Sequence, residues 1–140
     1  MEGFLEVTNI VEITSLWSAS KNICKIPNLP DKVYGHSTIK TQLGIISCGG
    51  TNEDAFSHLP SPYNTNKCWK LSDNYEWVQF PSMAEKRTRF TLNEGLGRFF
   101  AIGGSGGGKY SMEWIKLRDT KEWIKQDLPF NVTDHCTIKY

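Results

Sequence analysis

The stretch Gly103-Gly104-Ser105-Gly106-Gly107-Gly108-Lys109 comes close to the phosphate-binding loop G-x-x-x-x-G-K-[ST], whose backbone amides cradle phosphates. The match fails at Tyr110, where a Ser or Thr hydroxyl would hold Mg²⁺. No good helix follows to offer its N-terminal dipole to an anion. Three histidines, His36, His58 and His135, could in principle bind zinc, but their spacing matches no metal-ligand pattern. The four cysteines, Cys24, Cys48, Cys68 and Cys136, form no C-x-x-C pair, which removes zinc-ribbon and thioredoxin readings. No Ser/His/Asp or Cys/His grouping has a local signature. The expectation is therefore no catalytic centre, no bound metal and no cofactor. Asn131-Val132-Thr133 fits the N-glycosylation acceptor pattern, which matters only in a secreted protein.

Composition narrows the partners. Sixteen basic and fifteen acidic side chains leave a net charge of +1, dispersed along the chain, so there is no electrostatic footprint for nucleic acid or an anionic membrane. The densest apolar run, Phe99–Ile102, falls far short of the roughly 18–20 residues of a membrane span. The first residues, Met1-Glu-Gly-Phe-Leu-Glu6, carry no basic segment followed by an apolar core, so the pattern of a secretory leader is missing. A cytoplasmic location is favoured on that ground; an incomplete N-terminus would leave secretion open. Hydrophobic residues make up 39% of the chain and aromatics 12%, enough to bury a core.

The elements that position these residues repeat. Leu29-Pro30, Val33, His36 and Thr38-Ile39-Lys40 return 99 residues later as Leu128-Pro129, Val132, His135 and Thr137-Ile138-Lys139. Phe80-Pro81 falls between the copies, so the unit is about 50 residues, a period that signals stacked supersecondary units. Glu76-Trp77-Val78 returns as Glu122-Trp123-Ile124, and Cys68-Trp69-Lys70-Leu71 pairs with the segment Met112–Leu117. Counting six residues from each proline puts His36, Arg87 and His135 in one slot, which asks for a polar side chain near a strand start. Apolar runs ending in Gly49-Gly50 and Gly103-Gly104 recur at one phase, where a missing Cβ permits a tight turn or a close approach. Trp77 and Trp123 recur likewise and read as packing between sheets.

Runs of four to seven residues, rich in Ile, Thr, Phe, Tyr and Trp and bounded by Gly, Pro, Asn, Asp and Ser, predict strands rather than helices. The first full unit carries them at 36–41, 44–48, 67–71 and 76–80, the second at 89–93, 99–102, 111–117 and 122–126. Residues 9–14 and 22–25 read as the last two strands of an earlier unit, and 135–140 as the first of a later one. The units divide as 1–34, 35–80, 81–126 and 127–140 within one domain. Cys48 and Cys68 then fall on neighbouring strands. A bridge is conceivable in an oxidising compartment, while four reduced, partly buried thiols are the simpler expectation.

The order of short run, Gly-Gly, variable loop, aromatic-bearing strand, Trp and then Met83-Ala-Glu-Lys-Arg87 resembles the kelch repeat. The Leu-Pro…His-Cys phrasing and Cys48-Gly-Gly…Cys68-Trp resemble divergent invertebrate members of that family. The resemblance runs from about Asn9 to Tyr140. It departs at Lys32-Val-Tyr-Gly-His36, where Met-x-x-x-Arg would be expected, and in the preceding unit, which has Cys24 near the place of its Trp. It implies an all-β fold: a partial kelch-type β-propeller, with two full four-stranded antiparallel blades and parts of two flanking blades. It also implies a non-catalytic protein-interaction scaffold, such as a substrate adaptor or cytoskeletal binder, whose partner is another protein.

An arc this short leaves terminal sheet faces uncovered, so the expectation is a fragment of a larger propeller, or self-association if expressed alone. The alternative that the resemblance carries is a fragment of a galactose-oxidase-like copper enzyme, with the metal held by Tyr and His. Variable loops line one rim of such an array, where ligands bind. The candidate binding residues there are Asp54, Phe56, His58, Tyr63, Arg87, Arg89, Lys109 and Tyr110.

Overall fold

The structure, a computed structural model, describes residues 12–14, 23–52, 64–106, 108 and 110–133. The chain is all-β; among the described residues there is no helix. The strands are β1 (Glu12–Thr14), β2 (Ile23–Lys25), β3 (Ser37–Thr41), β4 (Gly44–Cys48), β5 (Cys68–Leu71), β6 (Trp77–Phe80), β7 (Arg87–Thr88), β8 (Thr91–Gly95), β9 (Arg98–Ile102), β10 (Ser105–Gly106), β11 (Ser111–Lys116) and β12 (Asp119–Asp127). Two four-stranded antiparallel sheets dominate, in the orders β3-β4-β5-β6 and β8-β9-β11-β12. Two small pairs, β1 with β2 and β7 with β10, flank them.

Most strands lie within one or two residues of their expected bounds, and two departures have physical causes. The strand expected from Arg89 begins at Thr91, because Arg89 sits at φ 54°, a left-handed conformation that breaks an extended run. The strand expected over Glu122–Gln126 extends to Asp119–Asp127, nine residues along the open edge of its sheet. Its exposed Lys121, Glu122 and Lys125 suit that edge, since charge discourages pairing with another chain. The expected strand at 135–140 lies outside the described residues.

Both sheets use one register. The pairs Cys48↔Cys68 and Lys70↔Val78 in the first correspond to Ile102↔Met112 and Trp114↔Ile124 in the second. This common frame puts Trp77 and Trp123 in one position. Their indole Nε1 groups donate to the carbonyls of Pro27 and Pro81, each at 2.7 Å. The step from 27 to 81 is 54 residues, so Ile26-Pro27, rather than Leu29-Pro30, is the counterpart of Phe80-Pro81.

That register corrects one expectation. The same step carries Leu29 to Met83, both buried, Val33 to Arg87, and His36 to Phe90. His36 and Arg87 therefore do not share a slot. Counting from the proline fails because Met83, two residues past Pro81, occupies the core position that Leu29 fills just before Pro30. Val132 is the third member of the Val33 and Arg87 series: Gly50 N–H donates to the Arg87 carbonyl at 2.7 Å, and Gly104 N–H to the Val132 carbonyl at 2.6 Å.

The core lies between the two sheets. Alternation along a strand sends Ile46 and Cys48, with their cross-strand neighbours Cys68 and Phe80, to one face of the first sheet. Leu92, Phe99, Ala101, Ile115 and Trp123 line the facing side of the second. Phe99 exposes no surface and meets Phe80 edge-on at 6.5 Å and Trp123 at 5.5 Å between ring centroids. Truncating such a ring to Ala costs about 3–5 kcal/mol. The first strands of the two sheets run side by side. Leu92 N–H donates to Ser37 Oγ at 3.2 Å, and the Gln42 side-chain amide to Glu94 Oε1 at 3.2 Å.

The expectation of four reduced thiols is also corrected. Cys48 and Cys68 form a disulfide with Cα atoms 4.1 Å apart. They are directly opposed at a position where the strands exchange no hydrogen bond; the next bond runs from Gly49 N–H to the Lys67 carbonyl at 2.9 Å. At such positions the side chains of an antiparallel pair lie closest. The bridge ties together the two ends of the long 51–66 connection.

Candidate binding surface

The Gly-Gly turns close the second strand of each sheet. Gly49 and Gly50 stand at φ 66° and 99°, and Gly103 and Gly104 at 66° and 97°. A Cβ on Gly49 would lie 2.5 Å from the Arg87 carbonyl, and one on Gly103 would collide with the Val132 carbonyl. Each pair therefore does two jobs: it supplies a left-handed backbone, and it lets the next unit's main chain approach.

This use decides how the glycine-rich segment works. Gly103 N–H donates to the Ser111 carbonyl at 3.0 Å and Gly104 N–H to Val132, so both amides are committed. The carbonyls of Gly103 and Gly108 point at a cation instead, each accepting from Arg87 Nη1 at 2.8 Å. A phosphate cradle needs converging N–H groups; this arrangement has the opposite polarity. Lys109 lies outside the described residues.

Arg87 is a correction to the candidate surface. It is fully buried and serves as a hub beneath the loops rather than as a rim side chain. Nη1 also donates to the Ser111 carbonyl at 2.9 Å, and Nη2 to Ser111 Oγ at 2.8 Å. Its charge is met by Glu113, with Nη2 2.9 Å and Nε 3.0 Å from Oε2. Glu113 also accepts from the main-chain amides of Ala84 and Glu85, which pins the Met83–Arg87 segment onto the second sheet. A carboxylate without exposure survives only with such partners. Glu113 escaped the sequence reading, although an acid on the inward-facing register of an apolar strand was the available signal.

Beside this hub the described ends of the two variable loops meet. Asn64, at the end of the long loop, lies against Gly106 of the short one; a Cβ on Gly106 would sit 2.9 Å from Asn64 Nδ2. Its neighbour Thr65 fastens the long loop to the frame, donating its N–H to Gly50 O at 2.9 Å and accepting from Arg87 N–H at 3.3 Å. Tyr110 is exposed, and its carbonyl accepts from Leu128 N–H at 2.6 Å. Arg89 is exposed, and its N–H donates to the Gly35 carbonyl at 2.8 Å. Asp54, Phe56, His58 and Tyr63 lie outside the described residues.

A second surface is apolar. Phe100, Ile102 and Met112 of the second sheet correspond in register to Ile46, Cys48 and Cys68. The latter three are 0–1% exposed beneath the second sheet, whereas the former are only half-buried. On the same face the Arg98 guanidinium stacks over Trp114 at 4.1 Å, and Ile124 is exposed.

No family model and no curated protein matches the sequence. Among solved structures the chain is similar to that of YjhT, with a TM-score of 0.70 at 9% identity. The two share a fold. The match covers 89% of this chain and 46% of YjhT, so the chain spans about half the length of that neighbour.

Proposed function

We propose that this chain is a sector of a kelch-type β-propeller that acts as a non-catalytic protein-interaction scaffold. One observation carries the reading: the bonds between successive units recur. Trp77 to Pro27 is repeated by Trp123 to Pro81, and Gly50 to Arg87 by Gly104 to Val132. A step that repeats with the same contacts generates a regular array, and a radial array of four-stranded sheets is a propeller. The match to half the length of a larger structure agrees with a sector.

The apolar face of Phe100, Ile102 and Met112 is covered, on this reading, by a further sheet of the same kind, as Ile46, Cys48 and Cys68 are covered by the second sheet. The scaffold role follows from where variation falls. The frame repeats, while the 51–66 and 105–110 connections differ in length and composition. Such loops recognise partners on repeat scaffolds.

The structure of the intact natural protein tests the sector: sheets that do not superpose when advanced by one unit would overturn it. Arg89→Ala and Tyr110→Ala test the rim, with the fold checked by circular dichroism. Loss of the captured partner is expected, and unchanged capture would reject the rim. Stoichiometric copper uptake with a visible absorption band would favour the oxidase-like alternative.

A further inference from the structure

We propose that Asn131 is an N-glycosylation site and that the chain matures in an oxidising, glycosylating compartment. Two independent observations meet here. The first is the acceptor itself. Asn131-Val132-Thr133 follows β12, outside the sheet pairings of the described residues, and Asn131 is exposed. The main chain beside it is held in place, because the Val132 carbonyl accepts from Gly104 N–H at 2.6 Å. The Asn131 side chain thus stands on an anchored backbone and faces solvent. A sugar there displaces no core residue and can cover the neighbouring Phe130 ring, which is 59% exposed.

The second observation is the Cys48–Cys68 bridge. Both cysteines are buried, 1% and 0% exposed, on adjacent strands. Structural disulfides of this kind form and persist in oxidising compartments and are rare where thiol buffers keep cysteines reduced. The glycan-transfer machinery acts on exported chains, so a bridge and an occupied acceptor call for the same route.

The transfer is a substitution at the anomeric carbon of a lipid-linked oligosaccharide pyrophosphate, the co-reactant. The Asn131 amide nitrogen forms the new C–N bond, the C–O bond to the pyrophosphate breaks, and the lipid pyrophosphate leaves. The amide proton passes to a base on the transferase. Thr133 supplies the hydroxyl that the acceptor pattern requires.

The test begins with protein from its natural source, alkylated without reduction and treated with peptide N-glycanase, which deamidates only a glycan-bearing asparagine. The expected result is deamidation at Asn131 and a linked Cys48–Cys68 peptide. An unmodified Asn131 overturns the site, and alkylated Cys48 and Cys68 overturn the compartment. The full chain secreted from eukaryotic cells behind a cleavable leader gives the second arm. Asn131→Gln and Thr133→Ala should abolish the glycanase shift, while Thr133→Ser should retain it. A shift that survives Asn131→Gln, or a secreted wild type without one, would also overturn the assignment.

Discussion

Arg87 and Glu113 face each other across 2.9 Å, Nη2 to Oε2, and neither side chain exposes any surface. The pair joins the segment entering the second sheet to that sheet's third strand, and the carbonyls of Gly103, Gly108 and Ser111 converge on the guanidinium. Removing one partner strands the other as a buried charge, which costs about 3–5 kcal/mol. Arg87→Met and Glu113→Gln should each destabilise the chain by roughly that amount in urea denaturation, and the double variant by less than the sum of the two. A single substitution that leaves the midpoint unchanged would contradict the hub.

The two indole bonds allow a matched comparison. Trp77→Phe and Trp123→Phe each remove one donor, to Pro27 and Pro81. Each should cost about 1 kcal/mol for the hydrogen bond. Trp123→Phe should cost more, because its ring is buried against Phe99, whereas Trp77 is half-buried. Thermal melts of the two variants check the order.

His36 predicts a pH dependence. Burial lowers its imidazole pKa below the ordinary 6.5, opposed by a weaker interaction with the Val33 backbone. Its Nδ1 is buried without a hydrogen-bond partner. Below the unfolded-state value the unfolded chain binds more protons than the folded one. The stability that His36 contributes is therefore complete above pH 6.5 and falls as pH drops below it toward the lowered folded value. His36→Phe copies the residue in the equivalent slot, Phe90, and should flatten this part of the stability profile. A profile identical to wild type would exclude His36 as the titrating group.

Reduction should loosen the first sheet. The Cys48–Cys68 bridge spans 20 residues, and closing a loop of that size stabilises by roughly 3 kcal/mol on a chain-entropy model. Wild type should melt lower in reductant, while a Cys48→Ala/Cys68→Ala variant should melt lower from the start and not respond. An unchanged wild-type melt, with reduction verified by thiol labelling, would count against the bridge as a staple.

What the sequence by itself determined is local. Gly44–Cys48 was legible as a strand because its apolar run stops at Gly49-Gly50, and a glycine pair at φ 66° and 99° ends an extended segment wherever it occurs. The recurrence of Trp77 as Trp123 was legible because packing between like sheets asks for the same side chain at the same phase. The tertiary structure decided what depends on residues distant in the chain. It matched Pro81 with Pro27 through the two indole bonds, where spacing alone suggested Pro30. It moved Arg87 from the rim to the interior, a placement its sequence neighbours do not encode because the compensating carboxylate is 26 residues away. It joined Cys48 to Cys68, since strand pairing brought together two thiols that sequence left free to pair in other ways. Turns and extended runs follow from the conformational limits of a few adjacent residues, whereas a buried charge or a cross-link exists only once the sheets have assembled around it.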